Sequence, residues 1–221
     1  MNEPVDDLTR PPDGRPHSGF RTGAEVWLLR HGEVDAPWRG KIYGGLDVPL
    51  SEAGRRDTQE AGRRFGKLKF DAIVASTMKR ARELGQAISS EAGVPLELDD
   101  GLVEIERGRW KGLAVEELMR DHEGAVAGLY ADPWNWRDHG GESDADVVAR
   151  AWPVLARTIR AARERIALCC HYNVVRVLAA RALGVRPVDS FRLRVDLSGS
   201  ILLVDGPTGW RLASANRRGP A

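Results

Sequence analysis

Glu25-Val26-Trp27-Leu28-Leu29-Arg30-His31-Gly32-Glu33 is the stretch that decides the fold. Its first six residues are apolar in the middle, with β-branched and aromatic members, and read as a short buried strand. The Arg-His-Gly-Glu run then opens a loop to about Leu50, punctuated by Pro37, Gly40, Gly44, Gly45 and Pro49. In open α/β sheets ligands gather at the carboxyl ends of the strands. The stretch therefore delivers an arginine and a histidine to the place where such sheets do chemistry. An imidazole nitrogen can attack phosphorus, and a guanidinium can hold phosphoryl oxygens. A four-residue motif also arises by chance, and a histidine at a strand end is often only a hydrogen-bonded loop residue.

Working outward, Phe70–Ala75 reads as a second buried strand ending at Ser76, and Ile166–Cys170 as a third ending at His171. Between them lie helices: one capped by Ser51 and running to about Lys67, one from about Thr77 to Glu91 closed by Gly93 and Pro95, one opened by Ser143 toward Glu164, and one from Tyr172 to Gly184. Pro153 falls inside the third and is expected to kink or interrupt it. A short strand near Leu96–Leu98 and two terminal strands, Ile201–Val204 and Trp210–Ala213, complete the set. An Asp205-Gly206 turn is expected to join the last two. This alternation predicts an α/β fold, a Rossmann-like three-layer sandwich with a mostly parallel sheet and helices on both faces. Residues 113–141 read as a small helical cap insertion. Residues 25–215 form the predicted domain, 1–24 a flexible or loosely packed arm, and 216–221 a tail.

The chain has 221 residues, enough for one sizeable core. Its net charge of +1 provides no overall field for nucleic acid or an anionic membrane, so any anion recognition is local. The longest apolar runs are too short to span a membrane, and the first 24 residues lack the apolar centre of a signal peptide. Cys169 and Cys170 are neighbours on a predicted strand and point to opposite faces, which disfavours a mutual disulfide. No Cys/His cluster has zinc spacing. The expectation is a cytoplasmic protein without a structural metal; the oligomeric state is left open.

In a parallel sheet the strand ends share one edge, so Arg30, His31, Ser76 with Arg80 one turn beyond, and His171 can converge. Two guanidiniums and a second imidazole around His31 make a clamp for a tetrahedral dianion, and their charge keeps His31 unprotonated. Glu104, between Leu102-Val103 and Ile105, is the best candidate to protonate a leaving oxygen; Glu106 shares its face in an extended segment. Each residue also has a plain structural alternative: Arg80 on a solvated helix face, His171 as a satisfied core histidine, the carboxylates at the surface.

These residues, in this order, resemble the histidine phosphatase superfamily, also called the phosphoglycerate mutase-like family, from about Val26 to Leu183. The matching pieces are Arg30-His31-Gly32-Glu33, Gly45–Ser51 with Gly54, Ser76 with Arg80-Ala81, Leu102 and Glu104 with Gly108, Trp110 and Gly112, Gly141-Glu142-Ser143 with Arg150, and His171. The resemblance implies that His31 accepts the phosphoryl group, that Glu104 protonates the departing oxygen, and that Arg30, Arg80 and His171 hold the phosphoryl oxygens. It implies further phosphate or substrate contacts at Glu33, Tyr43, Gly44, Trp110 and Tyr172, a small phosphorylated metabolite as partner, and no metal or organic cofactor. Many members carry Asn where this chain has Pro37, so loop backbone or water must replace that contact. The mutase branch has an Arg-His-Tyr-Gly run after its acid; Glu106–Gly112 stands there instead, which favours a phosphatase over a mutase. Ile42–Leu50 and Phe191–Asp196 resemble α-ribazole phosphatases, which implies α-ribazole 5′-phosphate as a substrate. Trp38, Trp110, Trp134 and Trp136 either line a pocket for a planar leaving group or, the weightier alternative, pack the cap. A phosphoglycerate mutase-type phosphotransferase and a non-catalytic phosphate-binding protein on the same fold are the competing readings. An intact proton donor argues against the second.

Overall fold

The computed structural model describes residues 8–219 other than 16, 18, 21, 162 and 163; the outer parts of the expected arm and tail, 1–7 and 220–221, lie outside the described residues. Six strands form one sheet: β1 (Glu25–Arg30), β2 (Ala72–Ser76), β3 (Leu96–Asp99), β4 (Arg165–Cys170), β5 (Ser200–Gly206) and β6 (Gly209–Arg217). Their order is β3-β2-β4-β1-β5-β6. The first four are mutually parallel; at one edge β5 runs antiparallel to β1, and β6 antiparallel to β5. The helices are α1 (Glu52–Phe65), α2 (Lys79–Ala92), α3 (Val115–Asp121), α4 (Glu123–Ala131), α5 (Asp144–Arg160) and α6 (Tyr172–Leu183).

β1 and β4 are buried on both faces, which is why they read as nearly unbroken apolar runs. Val26, Leu28, Ile166, Leu168 and Cys170 join the core under α5 and α6. Their alternate neighbours Trp27, Leu29, Ala167 and Cys169 join Phe65, Leu84 and Ile88 of α1 and α2 on the other side. The two cysteines are thus free and on opposite faces, as the strand alternation predicts. Local signals start and stop the helices where expected. Ser51 Oγ accepts from Gly54 N–H, Ser143 and Asp146 form a capping box, and Gly93 and Gly184 end α2 and α6 in the left-handed conformation.

The interruption expected at Pro153 and the expected position of the terminal turn are corrected. Helix α5 runs through Pro153 without interruption. Pro153 and Ala149, whose carbonyl loses its helical partner, both lie on the exposed face, while ten buried residues hold the helix to the core. The terminal hairpin turns at Pro207-Thr208 rather than at Asp205-Gly206. Asp205 is instead fully buried, and its carboxylate accepts from Phe20 N–H, Thr22 N–H and Thr22 O–H. The described part of the arm is tied down here: Phe20 packs on Trp152 and Trp210, and His17 N–H donates to Ala182 O. The segment expected as a tail begins inside β6, where Asn216 bonds Asp196. No helix among the described residues is long and apolar enough to cross a membrane.

Candidate active site

β1, β2 and β4 end side by side, and their last residues and first loop residues build the floor of a cleft. Gly32 lets the loop after β1 lie against the start of α1. A Cβ on Gly32 would stand 2.7 Å from Gly54 O, and one on Gly54 would collide with Glu33 O, so both positions need glycine. That approach fixes the direction of His31.

His31 is 1% exposed. Its Nδ1 lies 2.7 Å from Gly32 O, an acceptor only, so Nδ1 carries the proton and Nε2 keeps its lone pair. Arg80 Nε–H donates to that Nε2 at 3.3 Å. Burial, then the charges of Arg80 and Arg30, hold the imidazole well below its ordinary pKa of 6.5. Arg80 is fully buried and also donates to the carbonyls of Leu46 and Gly44, at 2.7 and 3.0 Å. Its guanidinium lies 5.1 Å from the Tyr43 ring centre. Arg30 donates to Val195 O at 2.8 Å and sits 5.2 Å from the Tyr172 ring centre. His171 Nε2 is 2.9 Å from Ser76 Oγ, its ring centre 5.2 Å from that of His31, and its Nδ1 is buried with no partner among the described residues. Burial first, then the Arg80 charge, holds it neutral as well.

Glu104 lines the same cavity and is 6% exposed. Its two oxygens accept from Ile105 N–H at 2.9 Å and Asn173 N–H at 3.4 Å. The segment that carries it is clamped from behind. Arg150 forks onto both oxygens of Glu142 at 2.8 Å and donates to the carbonyls of Gly101 and Val103, while Glu142 accepts from Glu106 N–H. Burial works to raise the Glu142 carboxyl, and the Arg150 bond, the Glu106 N–H and the Arg150 charge outweigh it and lower the pKa. Glu106, the second acid candidate, turns away to bond Gly108 N–H and Lys111.

The cavity holds about 460 Å³ and is roofed by the cap, where Trp110, Leu118, Val126 and Leu129 form a small separate core. Of the residues expected at the site, Arg30, His31, Tyr43, Gly44, Glu104, Trp110 and Tyr172 line this cavity, and Arg80 and His171 touch it through His31. Glu33 does not line it; its carboxylate accepts from Ser51 O–H and Arg39 and so braces the loop. Pro37 sits in an exposed turn away from it. Of the four tryptophans only Trp110 reaches the cavity. Trp136 stacks behind it at 4.9 Å, Trp134 is in the main core, and Trp38 lies in the loop turn. Residues not singled out from the sequence also line it, chiefly Arg107, Asn173, Tyr130 and Phe191. Phe191 opens the stretch that resembles α-ribazole phosphatases, and Asn173 follows the strand-end pair His171-Tyr172, so each had a signal nearby.

The histidine phosphatase superfamily (branch 1) model matches residues 26–218, which includes every residue of this edge. The chain belongs to the histidine phosphatase superfamily. Its enzyme class is phosphatase. It is 31% identical over 165 residues to the glucosyl-3-phosphoglycerate phosphatase of Mycobacterium tuberculosis, covering 71% of this chain and 74% of that protein. A solved structure of a mycobacterial glucosyl-3-phosphoglycerate phosphatase superposes with a TM-score of 0.79 at 25% identity, covering 89% of this chain and all of the other. The α-ribazole phosphatase of Shigella flexneri shares the fold, with a TM-score of 0.76 at 23% identity over 89% of this chain and 98% of that one.

Proposed function

We propose that the protein hydrolyses a phosphomonoester of a small phosphorylated metabolite, without a metal, through a phosphohistidine on His31. The observation that carries this reading is the state of the imidazole: Nδ1 donates to Gly32 O, and the unprotonated Nε2 stands in the floor of the cavity, accepting from Arg80 Nε–H. Nε2 attacks phosphorus as the ester P–O bond breaks, and Glu104 gives its proton to the departing oxygen. Water then attacks the phosphohistidine and gives a proton to the Glu104 carboxylate. The N–P bond breaks, phosphate leaves, and both residues return to their starting states. Arg30, Arg80 and His171 surround the phosphoryl oxygens and stabilise charge in the transition state.

Two substrate readings each have an observation behind them. The aromatic lining by Tyr43, Trp110, Tyr130 and Phe191 suits a planar leaving group such as that of α-ribazole 5′-phosphate. The mycobacterial relatives, and the extra cation Arg107 in the cavity, suit a phosphorylated acid. The test is phosphate release in EDTA from p-nitrophenyl phosphate, α-ribazole 5′-phosphate, 3-phosphoglycerate and glycerol 3-phosphate, with His31→Ala as control. Release should survive EDTA and vanish in the variant. Turnover retained in His31→Ala would sink the nucleophile, and a strict metal requirement would sink the metal-free route. No release from any ester moves the assignment to a mutase or a binder, which a bisphosphoglycerate-dependent isomerisation assay separates.

A further inference from the structure

Arg107 is the cation that the phosphoryl chemistry leaves unused. It lines the cavity, is 8% exposed, and comes three residues after Glu104. A buried guanidinium without a carboxylate is costly, because desolvation of the charge is not repaid. No described carboxylate forms an ion pair with it; its polar neighbours are Asn173 Oδ1 at 3.2 Å and His139 Nε2 at 3.4 Å. The first is shared with Arg176, whose Nη2 lies 3.3 Å from the same oxygen. The second is not an acceptor. His139 Nδ1 accepts from Gly141 N–H at 3.0 Å, and burial, with the charge of Arg107 second, pushes the ring down to about 4, so it is neutral at pH 7. A neutral imidazole has one acceptor and one N–H; with Nδ1 accepting, the proton is on Nε2 and faces Arg107 donor to donor.

Burial and the charge of Arg176 lower the Arg107 pKa against the through-space attraction of Glu104 and Asp144, neither of which bonds it. Glu104 is the only carboxylate among the described lining residues, and its oxygens are engaged by the Ile105 and Asn173 amides. A phosphoryl group bound at His31 is matched by Arg30, Arg80 and His171. Arg107 remains as a buried fork in the cavity wall whose bonds to the described residues include no carboxylate. Guanidinium forks of this kind suit a carboxylate.

We infer that Arg107 is a specificity residue that binds a carboxylate on the leaving-group portion of the substrate, so that the preferred substrates are phosphomonoesters of hydroxy acids. This rests on the phosphatase reading above. The cap wall beside it, with Leu118, Val126 and Leu129, adds room for an apolar extension of the same acid.

The test is the ratio of kcat/KM for 3-phosphoglycerate to that for glycerol 3-phosphate, two esters that differ by a carboxylate against a hydroxymethyl group. The wild-type protein should favour the acid. Arg107→Met should reduce that ratio by about 10- to 100-fold, and Arg107→Lys should recover part of it. The preference should persist in added salt, because a buried contact is weakly screened, whereas attraction from the exposed Lys41 at the mouth would fade. Thermal stability separates binding from scaffolding: removal of a buried charge that no carboxylate bonds should leave Tm unchanged or raised. A wild-type ratio at or below one, a ratio unchanged in Arg107→Met, or a fall in Tm with equal loss on both esters would overturn the inference. If neither ester nor p-nitrophenyl phosphate is hydrolysed, the phosphatase reading has failed by itself. Calorimetric titration with 3-phosphoglycerate and glycerol 3-phosphate then decides the inference: Arg107→Met must abolish tighter binding of the acid, and equal binding of the two overturns it.

Discussion

Arg176 and Arg107 share one acceptor, Asn173 Oδ1, yet the chain treats their charges in opposite ways. Arg176 is fully buried behind the cavity wall and forks onto both oxygens of Asp144 at 2.8 and 2.6 Å, with Ser190 Oγ as a further partner. Arg107, on the cavity side, has no carboxylate. The contrast extends to the neighbouring pairs. Arg150 is neutralised by Glu142, while Arg80 has no bonded carboxylate and is held by two carbonyls, the Met78 sulfur and the His31 and Tyr43 rings. Closed ion pairs hold the scaffold, and the cations without a bonded carboxylate border the cavity. A cation left open in a buried position marks a function more sharply than the count of arginines does.

The largest expected effect breaks the open side. Arg80→Ala should lower kcat by about 100- to 1,000-fold, as for loss of a group that stabilises transition-state charge. Because no buried carboxylate is orphaned, the protein should still fold. A loss of folding in Arg80→Ala, read by circular dichroism, would place Arg80 with the structural arginines. The next effect breaks the closed side. Asp144→Asn leaves Arg176 buried without a counter-charge and should cost about 3–5 kcal/mol of stability in denaturant titration. A change within experimental error would mean that the Arg176 pair does not support the wall.

Glu142→Gln sharpens the contrast, because the Arg150–Glu142 fork acts on chemistry only through the backbone that carries Glu104. Activity should fall by about 10-fold on alkyl phosphates and less on p-nitrophenyl phosphate, whose leaving group needs little protonation. Equal losses on both would make Glu142 a general stability residue. The smallest effect concerns the imidazoles. His31, His171 and His139 are all held below pKa 6.5, chiefly by burial. A lowered folded pKa means that the unfolded chain takes up protons first as pH falls. The stability of the neutral rings is therefore complete above about pH 6.5 and is lost on acidification, toward about 4 for His139. Melting temperature should decline below pH 6.5, while the acid limb of kcat/KM that reports His31 should lie well below 6.5. A limb at 6.5 would show an ordinary, solvated histidine.

The parts legible in the sequence were those set by local pattern. β1 and β4 are unbroken apolar runs, and the residues that follow each, His31 and His171, land at the shared edge because parallel strands end together. Ser51 and Ser143 cap where their side chains can reach an amide. What was not legible depends on distant chain. Arg107 sits in Glu106-Arg107-Gly108-Arg109-Trp110-Lys111, a charged run in which no local pattern marks one residue for burial. It is buried because residues 106–109 pair with 139–142, through Arg109 N–H to His139 O and Glu142 N–H to Glu106 O. Asp205 had the composition of a turn and became a buried anchor for the N-terminal segment for the same kind of reason. Pro153 stayed inside α5 because packing on the opposite face outweighs one lost hydrogen bond.

The central claim is that His31 Nε2 becomes covalently phosphorylated. The direct measurement is an alkaline rapid quench during turnover of p-nitrophenyl phosphate, followed by peptide mass mapping. The account predicts an acid-labile phosphoryl group on the peptide that contains His31, formed at least as fast as turnover and absent from His31→Ala. Turnover with no phosphorylated peptide, or with the phosphoryl group on another residue, would contradict it.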